Sequence, residues 1–175
     1  MAASKRKATS PRKPAAPKAA KPPKAQRPHM PGYGLPKGTR GLLKWSWALQ
    51  RLTRSHNYWV TTVRPDGRPH TMPVWGVWLD GAFYFSTGKR SVKTRNLAKN
   101  SHCIVCTERP EQAVIVEGVA HAVTGADFEW VVGPYRRKYQ WDIDPGMGPL
   151  FCVQPTVVFG LDERRFAAGA TKWVF

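Results

Sequence analysis

The sequence predicts a mainly β domain, an antiparallel barrel of six or seven strands plugged by two or three helices. Two observations carry that prediction. Short runs rich in β-branched and aromatic residues recur along residues 41–175, and they are joined mostly by tight hairpin turns instead of crossover helices.

The elements follow in order. Leu42, Trp45, Leu49 and Leu52 recur at three- and four-residue spacing, which predicts a helix over about 42–54. "NYWVTTV" is a strand, "RPDGRP" a turn, and "HTMPVWGVW" a second strand paired back on the first. Pro73 brings no N–H and Gly76 no side chain, so this second strand is expected to be an edge, to be bulged, or to be approached closely by something else. Asp80-Gly81 turns the chain into "AFYFST", and a helix is expected from Ser91 to about Lys99. "HCIVCTE" and "AVIVEGVAHAV" form another hairpin. A helix through "ADFEWVV" and "YRRKYQW" is expected to break near Gly133-Pro134. "LFCVQPTVVFGL" and "KWVF" supply the last strands.

The chain of 175 residues carries a net charge of +17, unevenly spread. Residues 1–40 hold eleven cations and no acid, because the first acid is Asp66; the rest of the chain therefore carries only +6. That segment interleaves Lys, Pro and Ala and has too little apolar surface to offset chain entropy, so it reads as a disordered basic tail preceding a domain of residues 41–175. Its composition suits non-specific contact with nucleic acid. With no signal-type apolar segment and no run long enough to span a membrane, a cytoplasmic location is expected. Cys103 and Cys106 in "CIVC" fall on a strand, where residues three apart point to opposite faces, so they read as packed thiols and not as a metal or redox pair.

The stretch "GKRSVKTRNLAKN" carries Lys89, Arg90, Lys93, Arg95 and Lys99 without one carboxylate; Lys89, Arg90 and Lys93 crowd the start of a helix and Arg95 follows. A helix start carries partial positive charge, so acids are preferred there. The run is either a solvated basic face or the binding place of an anion, and Ser86, Thr87 and Ser91 at the same point favour a phosphate. The chain has no phosphate loop of the nucleotide-hydrolase type, no strand followed by Gly-x-Gly-x-x-Gly and no His-Glu-x-x-His. His70, His102 and His121 lie on strands with no obvious partner and read as structural or exposed. With no catalytic residue evident, an activity would need a bound cofactor.

"WVTTVRPDGRPHTMPVWGVWLDGAFYFST", "SVKTRNLAKN" and "AVIVEGVA" resemble the pyridoxamine 5'-phosphate oxidase-like superfamily, and "FGLDERRFAAGATKWVF" resembles the closing strand of its actinobacterial members. The resemblance implies an FMN-binding type of split β-barrel, a homodimer with the cofactor in a groove at the subunit interface, and a small organic substrate. It assigns Ser86, Thr87, Ser91, Lys93, Thr94 and Asn96 to the phosphate end, with Arg95 among the flanking cations. It lays the cofactor ring against Pro73, Val74, Trp75 and Gly76, where the missing side chain of Gly76 would admit it. Trp173 either caps that ring or fills the core, and Lys172 stands where relatives usually have Arg. FMN or the deazaflavin coenzyme F-420 would fit, the latter favoured by the cationic excess. The implied activity is hydride transfer between reduced cofactor and an organic acceptor; a cofactor or haem carrier without turnover is the alternative.

Overall fold

The structure is a computed structural model that describes residues 22–175. Its strands are β1 (Lys24–Gln26), β2 (Tyr58–Val63), β3 (Pro69–Val74), β4 (Gly76–Leu79), β5 (Ala82–Ser86), β6 (His102–Thr107), β7 (Gln112–Val123), β8 (Leu150–Asp162) and β9 (Thr171–Val174). Helices are α1 (Trp45–Arg54), α2 (Val92–Leu97), α3 (Ala126–Tyr139) and α4 (Phe166–Gly169). The class is the expected one, but nine strands replace six or seven.

All pairs are antiparallel, in the order β1-β9-β8-β7-β6-β2-β3. One edge of β8 pairs with β7; along the other edge, Leu150–Val153 pairs with β5 and Val157–Gly160 with β9. The sheet splits at this change of partner. Pro155 sits there without an N–H, opposite the bulge at Glu117/Gly118, and a Cβ on Gly118 would strike the Gln154 carbonyl.

Two of the extra strands come from misjudged boundaries. "HTMPVWGVW" is broken at Trp75: β3 pairs with β2, whereas β4 pairs with β5. The other is β1, because the expected tail does not extend to residue 40. Lys24–Gln26 adds to the free edge of β9, and the Arg27 guanidinium bonds the carbonyls of Ala168 (2.7 Å), Ala170 (3.2 Å) and Arg40 (2.9 Å), satisfying orphan groups at the end of α4. Residues 1–21, on which the rest of the tail expectation falls, lie outside the described residues.

The barrel interior is closed by Tyr58, Val60, Phe83, Phe85, Val105, Val114, Val116, Val153 and Val158, all fully buried. Ala48 and Leu52 of α1 join this core, and α1 starts at Trp45 because Leu43 is held to β9 by a bond from its N–H to Thr171 Oγ1 (2.8 Å). Helix α3 packs outside, setting Val131, Tyr135 and Tyr139 against Val77, Ala82, Leu150 and Cys152. It is continuous through Pro134, contrary to the expected break. The proline forfeits the bond to the Trp130 carbonyl, but burial on both sides of it holds the helix together. On β6, Cys103 is buried and Cys106 half-buried, on opposite faces as the strand period requires. Among the described residues no helix is long and apolar enough to cross a membrane.

Candidate functional site

Where β5 hands over to α2, Ser91 is the N-cap as expected, its Oγ accepting from the Thr94 N–H (3.1 Å). Thr87 Oγ1 donates to Ser91 Oγ (3.1 Å), and Thr94 Oγ1 to the Gly88 carbonyl (3.0 Å). A strap of residues 144–149 lies over this corner, the Thr87 N–H bonding the Pro149 carbonyl (3.2 Å) and the Lys89 N–H the Met147 carbonyl (2.9 Å). Gly148 permits that approach: a Cβ there would lie 2.5 Å from the Lys89 nitrogen. The expectation that N–H groups and hydroxyls here all await one anion is therefore narrowed. Two N–H groups serve the strap, and the hydroxyls bond one another.

Two residues past the cap, Lys93 is largely covered by the protein. It is 9% exposed, no carboxylate lies within ion-pair distance among the described residues, and burial lowers its pKa. Its neighbour is His70 on β3, whose own pKa is lowered by burial first and then by the charges of Arg64 and Lys93. His70 Nδ1 is buried without a hydrogen-bond partner. Asn96, also buried, donates to Thr62 Oγ1 (2.9 Å), which ties α2 to the β2–β3 pair. Arg95 instead turns outward, bonding the Arg90 carbonyl (2.8 Å). β3 is the terminal strand of the sheet, the first of the three alternatives that Pro73 and Gly76 left open, so its outer backbone edge is unpaired. A lysine with no protein partner and a buried, unpartnered imidazole nitrogen on the edge strand fit an anionic group with hydrogen-bonding oxygens.

At the far end of β3 the chain twists out of line. Val74 goes into the core, Trp75 is 39% exposed, and Gly76 is buried. The Tyr139 hydroxyl takes the Gly76 N–H (2.8 Å) and lies 2.7 Å from the carbonyls of Gly76 and His56. Lys138 Nζ donates to the Gly76 carbonyl (2.9 Å) and the Tyr58 hydroxyl (2.8 Å), and sits over the rings of Tyr58 and Tyr139 at 4.7 and 5.3 Å. Trp75 stacks on Tyr139 with centroids 4.8 Å apart and planes 8° from parallel. Gly76 is thus a glycine for a reason other than the expected one. A Cβ would collide with the Phe83 ring and lie 2.7 Å from the Tyr84 carbonyl, so the missing side chain makes room for the core, not for a ligand.

For Trp173 the structure selects the second of its two expected roles, and not the cap on a cofactor ring. It is fully buried, edge-on to Trp45 at 5.3 Å and packed over Gly160, so it fills the core and faces no groove. Sequence reasoning missed His70, Lys138 and Tyr139. His70 carries no signal beyond being one of several strand histidines; "RKYQW" hinted at the other two only by setting a lysine among aromatics. Two hollows flank the strap. One, of about 770 Å³, is reached by Lys89 and Thr94 and walled by Val123, Phe128 and Leu150. The other, of about 190 Å³, lies between Trp75, Thr87 and Trp141.

The profile of the pyridoxamine 5'-phosphate oxidase family matches residues 48–161. Solved structures share the fold at low identity. A protein titled F420 reductase is 20% identical with a TM-score of 0.53, over 62% of this chain and 93% of that one. A conserved hypothetical protein from Mycobacterium tuberculosis is 19% identical with a TM-score of 0.62, over 74% of this chain and 90% of that one. HutZ, titled the heme storage protein of Vibrio cholerae, is 17% identical with a TM-score of 0.52, over 63% and 85%. No curated protein matches. With the match running from within α1 almost to the end of β8, this chain belongs to the pyridoxamine 5'-phosphate oxidase family.

Proposed function

We propose that the protein is a cofactor-dependent oxidoreductase that holds the deazaflavin coenzyme F-420, in preference to FMN, along the outer edge of β3. The observation that carries this reading is Lys93, a largely covered lysine without a carboxylate, whose charge acts on His70, a residue of the edge strand with an orphaned ring nitrogen. Lys93 and His70 take the phosphate, with Asn96 fixing the spacing between α2 and β3. The exposed cations Lys89, Arg90 and Arg95 suit an anionic tail longer than that of FMN. When bound and reduced, the cofactor supplies a hydride to a small organic acceptor. The chain's part is placement: Trp75 and its Tyr139 backing form a fixed wall, and the 144–149 strap shields one side from water.

The same reading makes the protein a homodimer. Pro73, Trp59, Cys106, Ile115 and Phe159 stand in register across five strands, β3, β2, β6, β7 and β8, on the face opposite the core, and Trp59 is 46% exposed. That row ends at the β3 edge, so a second copy laid on it would complete the groove. Purified protein is to be titrated separately with F-420 and FMN, with the absorption spectrum of any copurifying group recorded. Saturable binding of F-420 is expected; failure to bind either compound, or a haem spectrum, would overturn the reading.

A further inference from the structure

We propose that the smaller hollow beside the strap is the acceptor subsite, and that it takes a flat compound of one or two aromatic rings with a hydroxyl or amine at its edge and no carboxylate. Its role as acceptor subsite rests on the function proposed above; the ring site itself does not.

Eight large apolar side chains remain exposed among the described residues, and three of them, Trp75, Trp141 and Met147, meet at this one hollow. Exposures of 39, 55 and 64% at a single place leave apolar surface that a ligand would cover. Buried Tyr135 and Ile143 complete the apolar wall. Trp75 is already held, because one face of its indole lies parallel on Tyr139, whose hydroxyl is locked to Gly76. A second ring can stack on it without ordering it first. The volume of about 190 Å³ suits a one- or two-ring molecule.

Polar groups set the rest. Asp144 Oδ1 accepts from the Gly146 N–H (2.7 Å), while Oδ2 has no partner among the described residues and remains for a donor on the ligand. A carboxylate at that rim repels a carboxylate-bearing compound. Ser86 and Thr87 line the same hollow, which joins it to the α2 corner.

The test is calorimetric titration of the full-length protein with 2-naphthol and with 2-naphthoate, tryptophan emission being followed in parallel, and separate titrations with F-420 and FMN. Wild type is expected to bind naphthol with quenching and naphthoate at least tenfold more weakly. Trp141→Ala, a change at an exposed position, should weaken naphthol at least tenfold and leave the cofactor titration unchanged. Asp144→Asn should weaken naphthol and admit naphthoate. Equal binding of the two compounds by wild type, or naphthol binding indifferent to Trp141→Ala, overturns the site. Naphthol binding with the expected variant pattern but no cofactor binding sinks the acceptor role and the functional reading while supporting the ring site; cofactor binding without naphthol binding sinks the site alone.

Discussion

Lys93 is largely covered and Lys138 half-buried; neither forms an ion pair among the described residues, and burial lowers the pKa of both. They differ in what the protein gives them. Lys138 donates to a carbonyl and a hydroxyl and rests over two aromatic rings, so the fold uses it as a clamp on the Trp75–Gly76 corner. Lys93 has no hydrogen-bond partner among the described residues, only another basic group, His70. A satisfied buried cation reads as architecture; an unsatisfied one at an open edge reads as a place kept for something else.

The largest effect is expected where the clamp meets the core. Gly76→Ala drives a Cβ into the Phe83 ring, and overpacking that commonly costs about 1–3 kcal/mol should here reach or exceed the upper figure, because the Tyr84 backbone blocks escape. Loss of the cooperative unfolding transition in circular dichroism would bear this out; wild-type stability would mean that Phe83 does not fill that space.

Lys93→Ala comes next. A charge-assisted hydrogen bond is worth about 1.5–3 kcal/mol, so cofactor affinity should fall about ten- to a hundredfold. Lys93→Met should raise the melting temperature of the cofactor-free protein, since it removes a partly desolvated charge that no protein group offsets. Unchanged affinity together with lower stability would make Lys93 a structural residue like Lys138 and erase the contrast.

Tyr139→Phe should cost about 1–3 kcal/mol in denaturant unfolding, because the buried Gly76 N–H loses its acceptor. The pH dependence of Lys138 is subtler. Its pKa falls from 10.5 to about 8, so between those values the unfolded chain holds a proton that the native state has released, and stability rises with pH. Tyr58, Tyr84, Tyr135 and Tyr139, raised by burial, oppose this once unfolded tyrosines ionise near pH ~10. Wild type minus Lys138→Met should therefore gain stability from pH 8 to about 10; a flat difference would show that Lys138 stays charged.

The smallest effect touches neither corner. We propose that residues 1–21, with seven cations and no acid, give weak nucleic-acid binding. A chain beginning at Pro22 should lose salt-sensitive DNA binding and keep its cofactor affinity. Retained DNA binding would place the contact on the barrel.

Hairpins, the irregularity of "HTMPV" and the Ser91 cap were legible because each is decided by neighbours in sequence: Asp-Gly fits a turn with positive φ, proline is confined to an edge or a bulge, and a serine caps the helix that follows it. Two left-handed turn residues, Asp80 and Gly81, illustrate it. The break at Trp75 was not legible, because it depends on Phe83 occupying the space beside Gly76.

What the sequence by itself determined was the antiparallel β class and the basic corner at α2, since strand period, turn chemistry and charge are local properties. Only the tertiary structure decided which buried lysine has partners, that Gly76 and Trp173 belong to packing, that His70 stands beside Lys93, and that Trp75, Trp141 and Met147 converge. Those are contacts between residues far apart in the chain, and their energies depend on desolvation and packing that no single stretch of sequence contains.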